Sequence, residues 1–249
     1  MGKVAREERR AFFQRRRIFI ERLFGYLGPD SQRALCRAAV YGVPVNAAGL
    51  SAVTGESEER VLAFAGEWRE RALAYAVALS SVGVRASLLL AVYPLLRGWL
   101  LGHLSEEERR AAHKAAGDFL RGLEAQGQEG ELGLHWTECL LEARAQFLAA
   151  GEWSAARDVT DRISGFLVRR GLYEEVLRLN QEVLEGEEHP RPMGWIGRAY
   201  LERADYDRAR AWYQRAQALA IRLKDPRKVA ITWHQLATID LERGEYKAC

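Results

Sequence analysis

The side chains best suited to chemistry are scattered along this chain. Five histidines (His103, His113, His135, His189 and His234) and three cysteines (Cys36, Cys139 and Cys249) are spread over 249 residues. A metal site needs several such ligands, with or without carboxylates, at short fixed spacings. Only His135 and Cys139 stand one helical turn apart, and two ligands do not complete a site. No local signature sets a nucleophilic Ser or Cys beside a base. No G-x-x-x-x-G-K-[ST] loop for cradling phosphates occurs. The pattern predicts a non-enzymatic chain, with no catalytic, metal or cofactor residue of its own, whose work is recognition.

Charge narrows the partners. There are 37 basic and 34 acidic residues, a net +3 that is too mild to imply nucleic acid by itself. Arg6, Arg9, Arg10, Arg15, Arg16 and Arg17 crowd the first segment. Such a run reads first as a solvated helix face or a contact with another domain. Three widely spaced cysteines do not make a disulfide framework, so a reducing cytoplasm is the expected setting. Cys36 and Cys139 lie in apolar helical patterns and are expected in the core. The N-terminus is charged past residue 10, unlike a secretory leader. The apolar stretch 72–104 is broken by Arg85, Pro94, Arg97 and His103, so no membrane span is expected.

The elements follow from caps and periodicity. Residues 4–27 read as one amphipathic helix, with Phe12, Phe13, Phe19, Ile20, Leu23, Phe24 and Leu27 on its apolar stripe. Gly28-Pro29 ends it. Asp30 or Ser31 is positioned to cap a helix to about residue 41, Asn46 one to 53, and Ser57 one to about 71. The short apolar runs 73–79 and 86–92 flank Ser80-Ser81-Val82-Gly83 and predict a β-hairpin, with a single helix through 72–90 as the competing reading. Three short helices and a hairpin spell a winged helix. A helix over 95–104 follows.

From Ser105 onward the pattern is helical. Ser105 and Glu108 have the spacing of a capping box. The helices predicted are 106–125, 135–150, 154–170, 173–184, 192–203, 206–224 and 227–243, with short links that force antiparallel neighbours. Gly171-Leu172-Tyr173, Ala204-Asp205-Tyr206 and Gly244-Glu245-Tyr246 each close one helix and open the next, at steps of 33 and 40 residues. That period marks a helical repeat array. The last copy stops at Cys249, so a piece of a longer protein is expected. The fold class is thus mainly α, a winged-helix-like domain followed by an α-solenoid. The domains divide as 1–27 (a leading basic helix), 28–104 and 105–249.

Two stretches carry a family resemblance. Trp195-Ile196-Gly197-Arg198-Ala199-Tyr200, Ala204-Asp205-Tyr206-Asp207-Arg208-Ala209, Tyr213 and Ala216 resemble a tetratricopeptide repeat. Trp233, Leu236, Ala237, Gly244, Glu245 and Tyr246 repeat it, and 154–184 matches loosely through Ile163, Leu167, Gly171 and Tyr173. Small residues would let helices approach while Trp195, Tyr200, Tyr206 and Tyr213 fill the gaps. Upstream, Val92-Tyr93-Pro94-Leu95-Leu96-Arg97-Gly98-Trp99-Leu100-Leu101 and then 105–120 resemble the end of the winged helix of STAND signalling ATPases, the bacterial relatives of apoptosome and NLR proteins. Residues 23–41 fit the stretch that leads into that domain. In the family a nucleotide-binding module precedes the winged helix, and tetratricopeptide repeats often follow. The family often has a phosphate-side His before its Pro-Leu pair. Tyr93 stands there here, so that role is not carried over.

The resemblance implies a non-catalytic regulatory region that senses a ligand or partner through its repeats. A protein or peptide would lie in the concave groove, reached by Asp158, Asp161, Arg169, Arg198, Glu202, His234, Thr238 and Glu242. An upstream nucleotide-binding module is the other implied partner. Trp233, Leu236 and Ile239 would form an exposed apolar end of the array. The alternative is a DNA-binding transcription regulator. Against it, residues 56–71 carry Glu56, Glu58, Glu59, Glu67 and Glu70 against Arg60, Arg69 and Arg71. A reading helix with that balance would repel phosphates.

Overall fold

The computed structural model describes residues 18–79 and 87–244. The arginine run at 6–17, the hairpin turn at 80–83, Tyr246 and Cys249 lie outside the described residues. The chain divides into two compact units, Met1–Glu142 and Ala143–Cys249.

The first unit begins with helix α1 (residues 18–25). Helices α2 (Pro29–Ala38), α3 (Ala47–Thr54) and α4 (Glu58–Glu70) follow. Asn46 caps α3 by accepting from the Gly49 amide at 3.0 Å, and Ser57 caps α4 by accepting from Arg60 at 3.3 Å. Gly55 ends α3 at φ +77°, a left-handed conformation that costs glycine little. The predicted cap of α2 differs. The helix starts at Pro29 behind Gly28. Ser31 is buried instead, donating to Glu67 at 3.0 Å and accepting from the Trp68 indole at 3.0 Å. A long-range partner for a buried indole N–H outweighs a local cap.

The apolar run after α4 is a hairpin, not a helix. Strands β1 (Ala74–Leu79) and β2 (Ser87–Val92) pair antiparallel, with Ala76 opposite Leu90. Val45 extends the ladder by two backbone bonds to Leu90, at 2.9 and 2.8 Å. Helix α5 (Pro94–Leu101) then turns Arg97 onto the end of α2. Its guanidinium donates to the Ala39 and Val40 carbonyls at 2.9 and 2.8 Å, satisfying groups that the helix leaves open. Helix α6 (Glu106–Gln126) opens with the predicted capping box. The linker after it holds a 3-10 turn, Glu129–Leu132. Cys36 and Cys139 are buried, and burial pushes both thiols up to about 12.

The division between units falls within α7 (Trp136–Ala150). The second unit continues with α8 (Trp153–Arg169), α9 (Tyr173–Gly186), α10 (Pro190–Glu202), α11 (Tyr206–Arg222) and α12 (Pro226–Glu242). Three-residue links join them, so neighbours run antiparallel. Gly171, Ala204 and Lys224 make three of these turns at φ +72°, +57° and +56°. Each helix packs on the next, and α10 also touches α8 and α12. Among the described residues the fold is mainly helical, with α1 to α4, a hairpin, and then α5 and α6 ahead of a repeat-like helical array.

The core of this unit is a fit of small against large. Tyr213 is buried over Gly197, beside Ala209, Leu236 and Ile239. Tyr200 and Tyr206 pack against the same cluster. Trp195 does not join it but lines a groove. The expected apolar end also differs: Leu236 and Ile239 are buried against α11, while Trp233, Ile231 and Leu241 are exposed. Helical phase decides this: buried Thr232, Leu236 and Ile239 lie within about 60° of one another around α12, whereas Trp233 is turned about 100° from Thr232, to the edge of that stripe. A polar network ties α7, α8 and α9. Buried Arg144 donates to Thr160 at 2.8 Å and to the Leu179 carbonyl at 2.7 Å, and pairs with Glu182 at 2.9 Å. Nothing in the residue spacing announced this network.

Candidate ligand groove

Alternate helices of an array share one face, so α8, α10 and α12 form a common wall in the second unit. Their facing residues enclose a groove of about 650 Å³. That lies within the ~300–1,000 Å³ of small-ligand sites. Asp161, Gly165, Val168 and Arg169 come from α8, and Pro190, Arg191, Gly194, Trp195 and Arg198 from α10. Arg227, Lys228, Ile231, Thr232 and Gln235 come from α12. Gly165 and Gly194 keep the floor open. A β-carbon on Gly165 would stand 3.5 Å from the Trp195 ring.

Hydrogen bonds fix the wall between α8 and α10. The Trp195 indole donates to Asp161 at 2.6 Å. Arg191 pairs with Asp158 at 3.0 Å and lies 3.6 Å from Asp161. Arg198 pairs with Glu202 at 2.5 Å, one turn along the same helix. His189 caps α10, its Nδ1 accepting from the Arg191 amide at 3.2 Å. Burial, and then the nearby Arg157 charge, lower the His189 pKa, which favours the neutral ring that this acceptor role needs.

The lining is basic. Arg169, Arg191, Arg198, Arg227 and Lys228 face a single carboxylate, Asp161. Arg191, Arg227 and Lys228 sit in the first turns of their helices, while Arg169 closes α8. No acidic residue occupies the first turn of α8, α10 or α12, whereas α9 and α11 carry Glu174, Glu175 and Asp207 there.

Of the residues expected in the groove, Asp161, Arg169 and Arg198 line it. Asp158 and Glu202 stand outside the lining and hold its arginines. Thr238 and Glu242 lie three and seven residues beyond Gln235, on the continuation of its face. His234 is exposed outside the lining, and its carbonyl accepts from the Thr238 hydroxyl at 2.9 Å. Arg191, Arg227 and Lys228 were not anticipated. Their signal was present as His189-Pro190-Arg191 and Asp225-Pro226-Arg227-Lys228, a capping residue, a helix-starting proline and then a cation. Among the described residues no group of three His, Cys, Asp or Glu side chains is arranged to hold a metal ion. No described helix is long and apolar enough to cross a membrane.

No family model and no curated protein matches the chain. A solved structure from Pyrococcus horikoshii does, described as a signal transduction ATPase with numerous domains (STAND) protein with a tetratricopeptide repeat sensor. The likeness has a TM-score of 0.58 at 13% identity and covers 90% of this chain. The chain spans 34% of that protein's length. At this identity the likeness is one of fold.

Proposed function

We propose that this chain is the regulatory and protein-interaction region of a cytoplasmic STAND-type signalling protein. Residues 28–104 are its winged helix, and residues 105–249 the first tetratricopeptide-like repeats of its sensor. A protein or peptide partner binds the groove of α8, α10 and α12, and the nucleotide chemistry belongs to a module upstream. The partner acts by binding one state of the switch better than the other, since only differential affinity shifts such an equilibrium. The observation that carries this reading is a groove built on a fold that matches, over 90% of this chain, a signal transduction ATPase with a tetratricopeptide repeat sensor.

The reading frame that contains Met1 tests the proposal. It is expected to encode a G-x-x-x-x-G-K-[ST] loop on the N-terminal side, and groove substitutions in the longer protein are expected to change its nucleotide exchange rate. A frame with no phosphate-binding loop, or an exchange rate indifferent to the groove, removes the switch reading.

A further inference from the structure

We infer that the groove of α8, α10 and α12 receives an extended acidic polypeptide segment. The inference rests on the sensor reading above and specifies the chemistry of the partner. Five cations and one carboxylate line the cavity. The local acids are already committed: Asp158 and Asp161 hold Arg191, and Glu202 holds Arg198. Among the described residues, no ion pair engages Arg169, Arg227 or Lys228. An open groove with uncompensated cations raises the local concentration of anionic ligands.

The position of these cations argues against a merely solvated face. Arg227 and Lys228 occupy the first turn of α12, and Arg191 that of α10. The helix macrodipole puts positive potential there, so cations are disfavoured and carboxylates favoured. Asp225 caps α12 and Asp158 pairs with Arg191, yet Arg227 and Lys228 still place bases in a first turn that folds better with acids. A carboxylate in the groove relieves that repulsion and forms charge-assisted hydrogen bonds.

The rest of the lining selects a peptide over a nucleic acid. Val168 and Ile231 offer apolar contact between the charges. Single-stranded nucleic acid binds on successive aromatic platforms, whereas the lining holds one aromatic ring, Trp195, with its N–H committed to Asp161. A duplex does not fit a cavity of about 650 Å³. A segment that interleaves acidic and apolar side chains matches both features.

Fluorescence anisotropy on the full 249-residue chain provides the test. The probe is a fluorescein-labelled peptide of alternating glutamate and leucine. Comparators are the same peptide with glutamine for glutamate, a lysine version and a single-stranded oligonucleotide of equal charge. Arg169→Gln, Arg227→Gln and Lys228→Gln combined should weaken the glutamate peptide about tenfold or more, each exposed charge contributing modestly. Arg69→Gln, Arg109→Gln and Arg110→Gln combined, which remove equal charge from the first unit, should change it less than about twofold. Raising salt should weaken binding, as screening requires. Circular dichroism melts establish that both triple variants fold. Equal binding of the glutamine peptide, equal loss in the two triple variants, or tighter groove-dependent binding of the oligonucleotide overturns the inference. So does a chain that binds none of the peptides, or binds the lysine peptide best. In those cases the sensor reading still stands or falls on the upstream reading frame.

Discussion

At the scale of single residues, the repeat core depends on one glycine and one tyrosine. A β-carbon on Gly197 would stand 2.6 Å from the Tyr213 ring, inside any real contact. Tyr213 is fully buried between Ala209 and Ile239, so its ring cannot swing into solvent. Gly197→Ala should therefore lower stability by about 1–3 kcal/mol, the usual range for overpacking, measured by thermal or urea unfolding. The Tyr213 hydroxyl is a different matter. It is buried with no hydrogen-bond partner among the described residues, and burial raises its pKa well above the ordinary phenol range. Removing an unsatisfied polar group costs little, so Tyr213→Phe should be neutral or slightly stabilising. A loss above about 1 kcal/mol would mean that the hydroxyl has a partner after all. The pairing of a small with a large residue here was legible from the repeat resemblance. The inward placement of Trp195 was not, because a helical aromatic looks the same in sequence whether it packs a core or lines a groove.

At the scale of elements, the start of α6 offers the sharpest test. Ser105 accepts from the Glu108 amide at 3.2 Å, and Glu108 accepts from the Ser105 amide at 3.1 Å. Arg33 donates to the same carboxylate at 2.5 Å. Ser105→Ala should cost about 1 kcal/mol at neutral pH, the usual value of an N-cap. The Arg33 hydrogen bond comes first, and the two Ser105 bonds next, in holding the Glu108 carboxyl at about 2, below the ordinary 4.5. A depressed carboxylate pKa stabilises the fold above the unfolded value and loses that contribution as pH falls through the folded one. Unfolding midpoints should thus drop as pH goes from about 4.5 toward 2. Glu108→Gln should flatten that part of the profile, and an unchanged profile would remove Glu108 from the account. The capping box was readable because it is local, four residues with fixed roles. The cap expected at Asp30 or Ser31 does not form: the helix starts behind Gly28, and Trp68, 37 residues away, has the stronger claim on the Ser31 hydroxyl.

At the scale of the whole molecule, charge separates the two functional readings. The helix α4 that would read DNA carries Glu58 and Glu59 in its first turn. Its Arg60 is already engaged by Asp30 at 2.6 Å and Glu56 at 2.9 Å. Specific readers instead present free basic or amide side chains to base edges. A mobility-shift assay at physiological salt should therefore show no tight, sequence-specific duplex binding. A steeply salt-dependent shift abolished by substitutions on α4 would favour the transcription regulator. What the sequence determined by itself was the succession of helices and the hairpin. Caps, prolines, left-handed turns and apolar periods act within a few residues, so they can be read without a fold. What only the tertiary structure decided was the sign of the groove. Asp158 and Asp161 belong to a mixed-charge set in the sequence, yet the packing of α8 on α10 commits them to Arg191 and Trp195, while Glu202 pairs with Arg198 one turn away on α10 itself. That leaves Arg169, Arg227 and Lys228 to set the potential. Pairing between helices depends on the rotation of each about its axis, where a one-residue step of about 100° separates His234, outside the lining, from Gln235 within it.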